Sequence, residues 1–336
     1  MAEKAKRMKI GRGVHLTWQG LFLILTLLAW AGEARGAAKF PANPVKLVIT
    51  HAAGTSNDIE ARAAQPVLQK YLGVPVVIEN MPGTGGRRSR EYVFKQKPDG
   101  YALLSTGMPT CQIGEIFFDG RYKTLEFSHI FSLFSESIAL VVKNDAPYKD
   151  MADFVKEHKK KTLSSAVAGV GGGAHFNGMN LARHLGLTVK WVPFDGGTQS
   201  LAALAGGHVD YVITDIGNVT AMVAAKTIRL LMIFGEQREP RYPDIPTSKE
   251  LGYGITVIPS LRAVLGPPGL PAIVVKTLES AYKKTAQDAA FQALATKANV
   301  RVNPKDAKET FALSKNTWTA FKEQEEHLRS VMKSGK

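Results

Sequence analysis

Val45-Lys46-Leu47-Val48-Ile49-Thr50-His51-Ala52-Ala53-Gly54-Thr55-Ser56-Asn57-Asp58 passes from an apolar, β-branched run through small residues to residues that start helices. An apolar run of this length reads as a buried strand. The small residues after it mark a sharp turn that leaves backbone N–H groups uncovered. Ser56, Asn57 and Asp58 are N-cap types, and Ile59, Ala63, Val67 and Leu72 recur at helical spacing until Gly73 ends the run. A strand, a small-residue turn and a helix N-terminus in this order form an anion site, because free donors and the positive end of the helix dipole point at one spot. The competing reading is an ordinary βα connection that binds nothing.

Outward from this stretch, strand-like and helix-like segments alternate. Strands are expected at Val74 to Ile78, Tyr101 to Leu104, Ile138 to Val142, Leu163 to Ala166, Val189 to Val192, Tyr211 to Thr214 and Ile228 to Ile233. Helices are expected around Arg88 to Lys97, from Met151, from His175, and over Pro271 to Gln287, Phe291 to Asn299 and Pro304 to Met332. Such alternation predicts an α/β protein with mostly parallel sheets.

The first 38 residues read as a leader and not as part of the fold. Lys4, Lys6, Arg7, Lys9 and Arg12 form a basic region, Leu21 to Ala31 is apolar and uncharged, and small residues follow at Ala34, Gly36, Ala37 and Ala38. That apolar core is short for a membrane span, which takes about 20 residues, so a cleavable secretory signal and a periplasmic address are expected. An uncleaved anchor is the alternative. Cys111 is the only cysteine, which forbids an intrachain disulfide. Removing the leader lowers the formal charge from +14 to +10. The lysines are scattered among acids without interleaved aromatics, so nucleic acid is not an expected partner.

Four further glycine-rich or acidic turns end predicted strands. They are Glu79 to Gly86, Ala168 to His175, Val192 to Gly197 and Thr214 to Asn218. In open α/β sheets ligands bind at the carboxyl ends of strands, so such turns can share one pocket. The run Gly169 to His175 is not a P-loop, because no Lys-Ser/Thr follows its glycines, and it lacks the acidic residue of a dinucleotide fingerprint. A bare helix N-terminus receiving a carboxylate fits it better. His175 and His184 lie about 180° apart on a helix and cannot share a metal. No spacing suggests a metal or cofactor site, and no serine sits in a nucleophile elbow.

In order along the chain, these motifs closely resemble those of the periplasmic receptors of tripartite tricarboxylate transporters, the Bug-type receptors. The matching residues are Ala53-Gly54 with Asp58-Ile-Glu-Ala61-Arg62, Glu79-Asn80-Met-Pro82-Gly83-Thr-Gly85-Gly86 and Pro98-Asp99-Gly100-Tyr101, then Ala168-Gly169 with Gly171 and His175. Val192-Pro193-Phe194, Gly206-Gly207-His-Val209-Asp210, Arg241 to Thr247 and Gly266 to Pro271 complete the series. The resemblance implies a two-lobed, type II Venus-flytrap fold with a small carboxylate-bearing solute in the interdomain cleft. It places domain 1 at 39–137 plus 265–336 and domain 2 at 138–264, with crossings near Ser137 to Leu140 and Ser260 to Val264. One ligand carboxylate would meet Ala53, Gly54, Thr55 and Asp58, partly through ordered waters. Gly171, Gly172, Gly173, His175, Phe194, Asp195, Gly196 and Asp215 would face it from the second domain. The partner implied is a membrane permease of one large and one small subunit, and the receptor itself is expected to be a monomer, not an enzyme.

Some residues depart from the family pattern. His51 stands where an aromatic residue is usual, Thr55 where a second glycine is, and Asp195 where a lysine is common. An anion at 195 opposes a second ligand carboxylate unless His51 is protonated or water intervenes. Monocarboxylate and amino-acid-like solutes therefore stand beside dicarboxylates. Two other functions are compatible with the chain: an exported hydrolase using His175 with Asp195 or Asp215, and a sensor subunit for a membrane kinase.

Overall fold

The computed structural model describes residues 40–168, 172–194, 197–298 and 300–334. Residues 1–39, where a leader is expected, and Gly171, Asp195 and Gly196 of the candidate site lie outside them.

β1 (Val45–Ile49) is buried except at Lys46, and lies between β2 (Val76–Asn80) and β3 (Ala102–Met108), parallel to both. A strand with partners on both edges and cover on both faces is apolar throughout, which is why the run does not alternate. α1 (Ser56–Leu72) follows, and its core face is Ala61, Ala64, Val67, Leu68 and Leu72. Ile59, expected in that stripe, is 40% exposed in the first turn. Gly73 closes the helix at φ +74°, its N–H donated to the Gln69 carbonyl.

Three more strands complete the first sheet: β4 (Ser128–Glu136), β10 (Ser260–Gly266) and β11 (Val302–Lys305), in the order β11-β4-β10-β3-β1-β2. The second sheet holds β5 (Ile138–Lys143), β6 (Leu163–Ala168), β7 (Val189–Phe194), β8 (Tyr211–Asp215) and β9 (Ile228–Phe234), in the order β7-β6-β8-β5-β9. The expectation of mostly parallel sheets is corrected: both sheets are mixed. β10 runs antiparallel to β3 and β4, β11 to β4, and β5 to β8 and β9. The chain leaves the first sheet along β4, turns at Ser137 directly into β5, and returns along β10. The strands that carry the chain between the sheets, β5 on entry and β10 on return, run against both of their neighbours, which makes each sheet mixed. β10 pairs wholly within the first sheet, so residues 260–264 belong there and the return passage precedes Ser260.

The remaining helices are α2 (Arg87–Phe94), α3 (Thr110–Phe117), α4 (Met151–Lys160), α5 (Gly173–Leu185), α6 (Gly197–Ala205), α7 (Thr220–Ala224), α8 (Ala272–Gln287), α9 (Ala289–Lys297), α10 (Ala307–Glu323) and α11 (Glu325–Ser334). The single helix expected over Pro304 to Met332 is therefore three elements. Lys305 still pairs in β11, Asp306 and Glu309 form a capping box that starts α10, and Gln324 separates α10 from α11.

α8 and α10 pack on β4, where Phe131 stacks on Tyr282 with ring centres 5.9 Å apart. The second sheet has an apolar cluster containing Leu140, Phe154 and Met232, and another containing Val141, Leu204 and Val212. A further cluster joins elements that serve different sheets. Phe176 and Met179 of α5 pack with Phe117 of α3, Phe321 of α10 and Leu328 of α11. The Phe176 and Phe321 rings meet edge-to-face at 4.8 Å.

α5 approaches its sheet closely at Gly178, where a Cβ would lie 2.7 Å from the Trp191 ring and 2.8 Å from Ile213 Cδ1. Alanine gains about 1 kcal/mol of helix propensity over glycine. Overpacking against a rigid indole costs about 1–3 kcal/mol. We expect Gly178→Ala to be net destabilising by about 1 kcal/mol, read from the urea midpoint at unchanged m-value; a rise in midpoint would contradict the close packing.

Candidate functional site

Thr50, Asn57 and Ser105 tie the first loop to the sheet. Asn57 Nδ2 donates to Thr50 Oγ1 (3.3 Å) and to the Ser105 carbonyl (3.2 Å), and Ser105 Oγ donates back to Asn57 Oδ1 (2.7 Å). Asp58 is a second anchor. Its buried carboxylate accepts from the Gly54 N–H (2.9 Å), Arg62 Nε (2.9 Å) and Asn80 Nδ2 (3.0 Å). Burial would raise the Asp58 pKa, but these donors outweigh it and hold it below the usual range. Asn80 Nδ2 also reaches the His51 carbonyl at 3.0 Å.

The N-cap is Thr55, whose hydroxyl donates to the Ala52 carbonyl (2.8 Å) and not into the helix. Gly54 has φ +83°, which favours glycine, and turns its N–H inward to Asp58. The N–H groups of the first three helical residues, Ser56, Asn57 and Asp58, have no partner within the helix, whose first bond is Ile59 N–H to the Thr55 carbonyl. His51 Nδ1 lies 2.9 Å from Thr50 Oγ1. Desolvation, then the charges of Arg262 and Arg90, lower its pKa.

At the open end of this loop lies a pocket of about 230 Å³ lined from both sheets. Ser56, Ile59 and Glu60 come from α1, Phe134 and Glu136 from β4, Ser260 and Arg262 from β10, and Arg301 from the segment before β11. Asp215, Gly217 and Asn218 come from the end of β8. Arg262 Nε is 3.3 Å from Glu60 Oε2, and Arg262 Nη2 is 3.4 Å from Ser56 Oγ. Ser260 Oγ donates to Asp215 Oδ2 at 3.2 Å. Burial pushes Glu60 up to about 7, against the pull of Arg262, with Glu136 and Asp215 adding to the rise. Burial also raises Glu136 and Asp215, opposed chiefly by Arg241 and Arg262 respectively.

Beside the pocket, Glu239 of the loop after β9 is almost fully buried. It accepts from Arg301, from Ser137 Oγ (2.7 Å) and from Arg241 Nε (2.9 Å), and Arg241 reaches Glu136 at 3.3 Å. A larger groove of about 590 Å³ runs between residues 248–257 and α10, but it contains no strand-end turn of the first loop or of β8.

Of the sequence-read residues, Asp215 lines the charged pocket. His51, Ala53 and Gly54 are exposed and Thr55 is partly exposed, all on the first loop; Asp58 lies behind it as an anchor. Gly173 packs where a Cβ would meet Pro109 at 2.9 Å, and Gly172 caps the same helix, α5. His175 is buried edge-on to Trp191 with ring centres 4.7 Å apart, and burial, helped by His327, lowers it to about 4. Phe194 is half-buried against the second sheet's core. Glu60, Glu136, Ser260, Arg262 and Arg301 were not read from the sequence as site residues, whereas Ser56 was read as an N-cap type at the anion-binding helix start. Ser56 and Glu60, four apart, share a helix face. Arg262 is the lone charge within the apolar run Leu261 to Leu265. Among the described residues no three His, Cys, Asp or Glu side chains converge as a metal site, and no helix is long and apolar enough to cross a membrane.

Residues 60–325 match the family described as tripartite tricarboxylate transporter family receptor. The chain belongs to this receptor family. A relative from Cupriavidus necator, the UPF0065 protein in the gbd 5′ region, is 34% identical over 262 residues, covering 77% of this chain and 79% of the relative. Among solved structures, a TctC solute-binding protein from Polaromonas, crystallised without ligand, superposes with TM-score 0.80 at 20% identity, covering 88% of this chain and 99% of that one. MatC from Rhodopseudomonas palustris with bound malate gives TM-score 0.63 at 26% identity, over 87% of this chain and 99% of that one. The fold is thus the two-lobed α/β architecture of the receptor family.

Proposed function

We propose that this chain captures a small carboxylate-bearing solute in the pocket between its two lobes and delivers it, outside the cytoplasmic membrane, to a permease of one large and one small subunit. The observation that carries the reading is the pocket of about 230 Å³ lined by Ser56, Glu60 and Arg262 from one lobe and by Asp215 and Asn218 from the other. A site with walls on two lobes lets binding energy favour closure, and closure is the signal a permease can read. Arg262 is the carboxylate partner, joined by Ser56 and the first-turn N–H groups of α1. Malate bound to MatC supports the carboxylate class. The leader supports a periplasmic address. For the lobes we propose 39–137 plus 260–336, and 138–259, which follow the sheet membership of β4, β5 and β10.

The test is titration of the mature chain with a panel of mono-, di- and amino-carboxylates, followed by thermal melting. A ligand at a hundred times its Kd stabilises by about 2.7 kcal/mol, a shift of several degrees. Arg262→Gln is expected to weaken the best ligand at least about tenfold, since a charge-assisted carboxylate contact contributes about 1.5–3 kcal/mol. A flat panel, or steady turnover of a bound compound, refutes the reading.

A further inference from the structure

We infer that the pocket selects a zwitterionic solute, its carboxylate at Arg262 and Ser56 and a cationic end at Asp215 and Glu136. The inference rests on the receptor reading above and narrows its solute class. Charge bookkeeping favours it. Among the described residues the pocket wall carries three carboxyls, Glu60, Glu136 and Asp215, and two guanidiniums, Arg262 and Arg301. Arg301 is held by Glu239 and Ser137, and Arg241, next to the wall, is shared between Glu239 and Glu136. Arg262 lies on the wall beside α1, with Nη2 on Ser56 Oγ and Nε toward Glu60. Its Nε and Glu60 Oε2 are buried and make no aligned hydrogen bond, although they form an ion pair at 3.3 Å. Asp215 has no cation within ion-pair distance among the described residues; the Ser260 hydroxyl donates to it.

The two ends are spaced by the strand itself. Ser260 and Arg262 are two residues apart on one face of β10, so their Cα atoms are about 7 Å apart. Ser260 lies opposite Glu136 in the β4–β10 register and donates to Asp215, which sets the acidic end. Gly217 closes that end, where a Cβ would come within 3.3 Å of Glu136 Oε1. A dicarboxylate would bring its second anion against Asp215 and Glu136. A monocarboxylate would cover them without compensation. An ammonium group supplies both charge and donors, in surroundings where screening by water is weak.

The experiment is calorimetric titration of the mature chain with straight-chain monocarboxylates, dicarboxylates and ω-amino carboxylates of matched length. At the best length the amino-carboxylate should bind at least tenfold more tightly than both counterparts. Asp215→Asn, and separately Glu136→Gln, should cut that preference at least tenfold. A dicarboxylate as the tightest native ligand overturns this inference and leaves the receptor reading standing, as does a preference unmoved by both substitutions. Failure of every probe to bind overturns the two together.

Discussion

Glu239→Ala lowers the unfolding free energy by about 3–5 kcal/mol, the expected cost of removing one partner from a buried ionic group. Glu239 is only 1% exposed and receives Arg301, Arg241 and the Ser137 hydroxyl; its loss leaves Arg301 with Ser137 alone, while Arg241 keeps Glu136. The cluster joins three separate stretches: the loop after β9, the passage at Ser137 and the segment before β11. No single element can relax to fill the gap. The pH dependence follows from the same contacts. Burial would raise the Glu239 pKa, but Arg241, Ser137 and Arg301 outweigh it and the value is lowered. A depressed carboxyl stabilises the fold above its unfolded value, near 4.3, and that contribution is lost as pH falls through the folded value. The gap between native protein and variant should therefore be widest at neutral pH and narrow only below about pH 4. Urea unfolding of both proteins at pH 7 and in the acid range measures it. Equal midpoints at pH 7 would show that the cluster contributes nothing net.

Asp58→Ala comes next in size, with an expected loss of about 2–4 kcal/mol and a loosened first loop. Arg62 is 49% exposed, so its ion pair with Asp58 contributes little after screening. The larger part comes from the Gly54 N–H and Asn80, whose hydrogen bonds to a buried carboxylate are about 1.5–3 kcal/mol each at most. The distinguishing readout is amide exchange. The Gly54 N–H should exchange much faster in Asp58→Ala than in the native protein, while amides of β1 stay protected. Unchanged protection at Gly54 would remove Asp58 from its role as the loop's anchor.

These two residues mark where the sequence was readable and where it was not. Val45–Ile49 and Gly73 announced a strand and a helix stop because local chemistry alone sets them. The strands β4 and β10 went unread. Ser132 and Ser135 interrupt the apolar run of β4, and both are buried only because α8, α10 and neighbouring strands close over them. Residues 260–264 were read as a crossing between lobes and not as a strand, and Arg262 of that stretch lines the pocket. Missing the strand thus meant missing the site residue on it. Asp58 was placed among the ligand contacts by the family resemblance, and only the fold reveals that its carboxylate accepts from Gly54 and Asn80. Asp215 was legible because a strand end needs no tertiary knowledge to recognise. Glu60 was not, since a glutamate in a helix is usually solvated, and its burial depends on β10 arriving from far along the chain.

That late arrival sets the order in which the growing chain can mature. β3 and β4 are not neighbours; β10 is seated between them. β1, β2 and β3 are complete by residue 108, yet the β3 edge has no partner until residues 260–266 have been made. All five strands of the second sheet lie between residues 138 and 234. The segment inserted in the middle of the chain can close before the lobe that begins it, and the N-terminal lobe waits with an open strand edge, the kind of surface that recruits other chains.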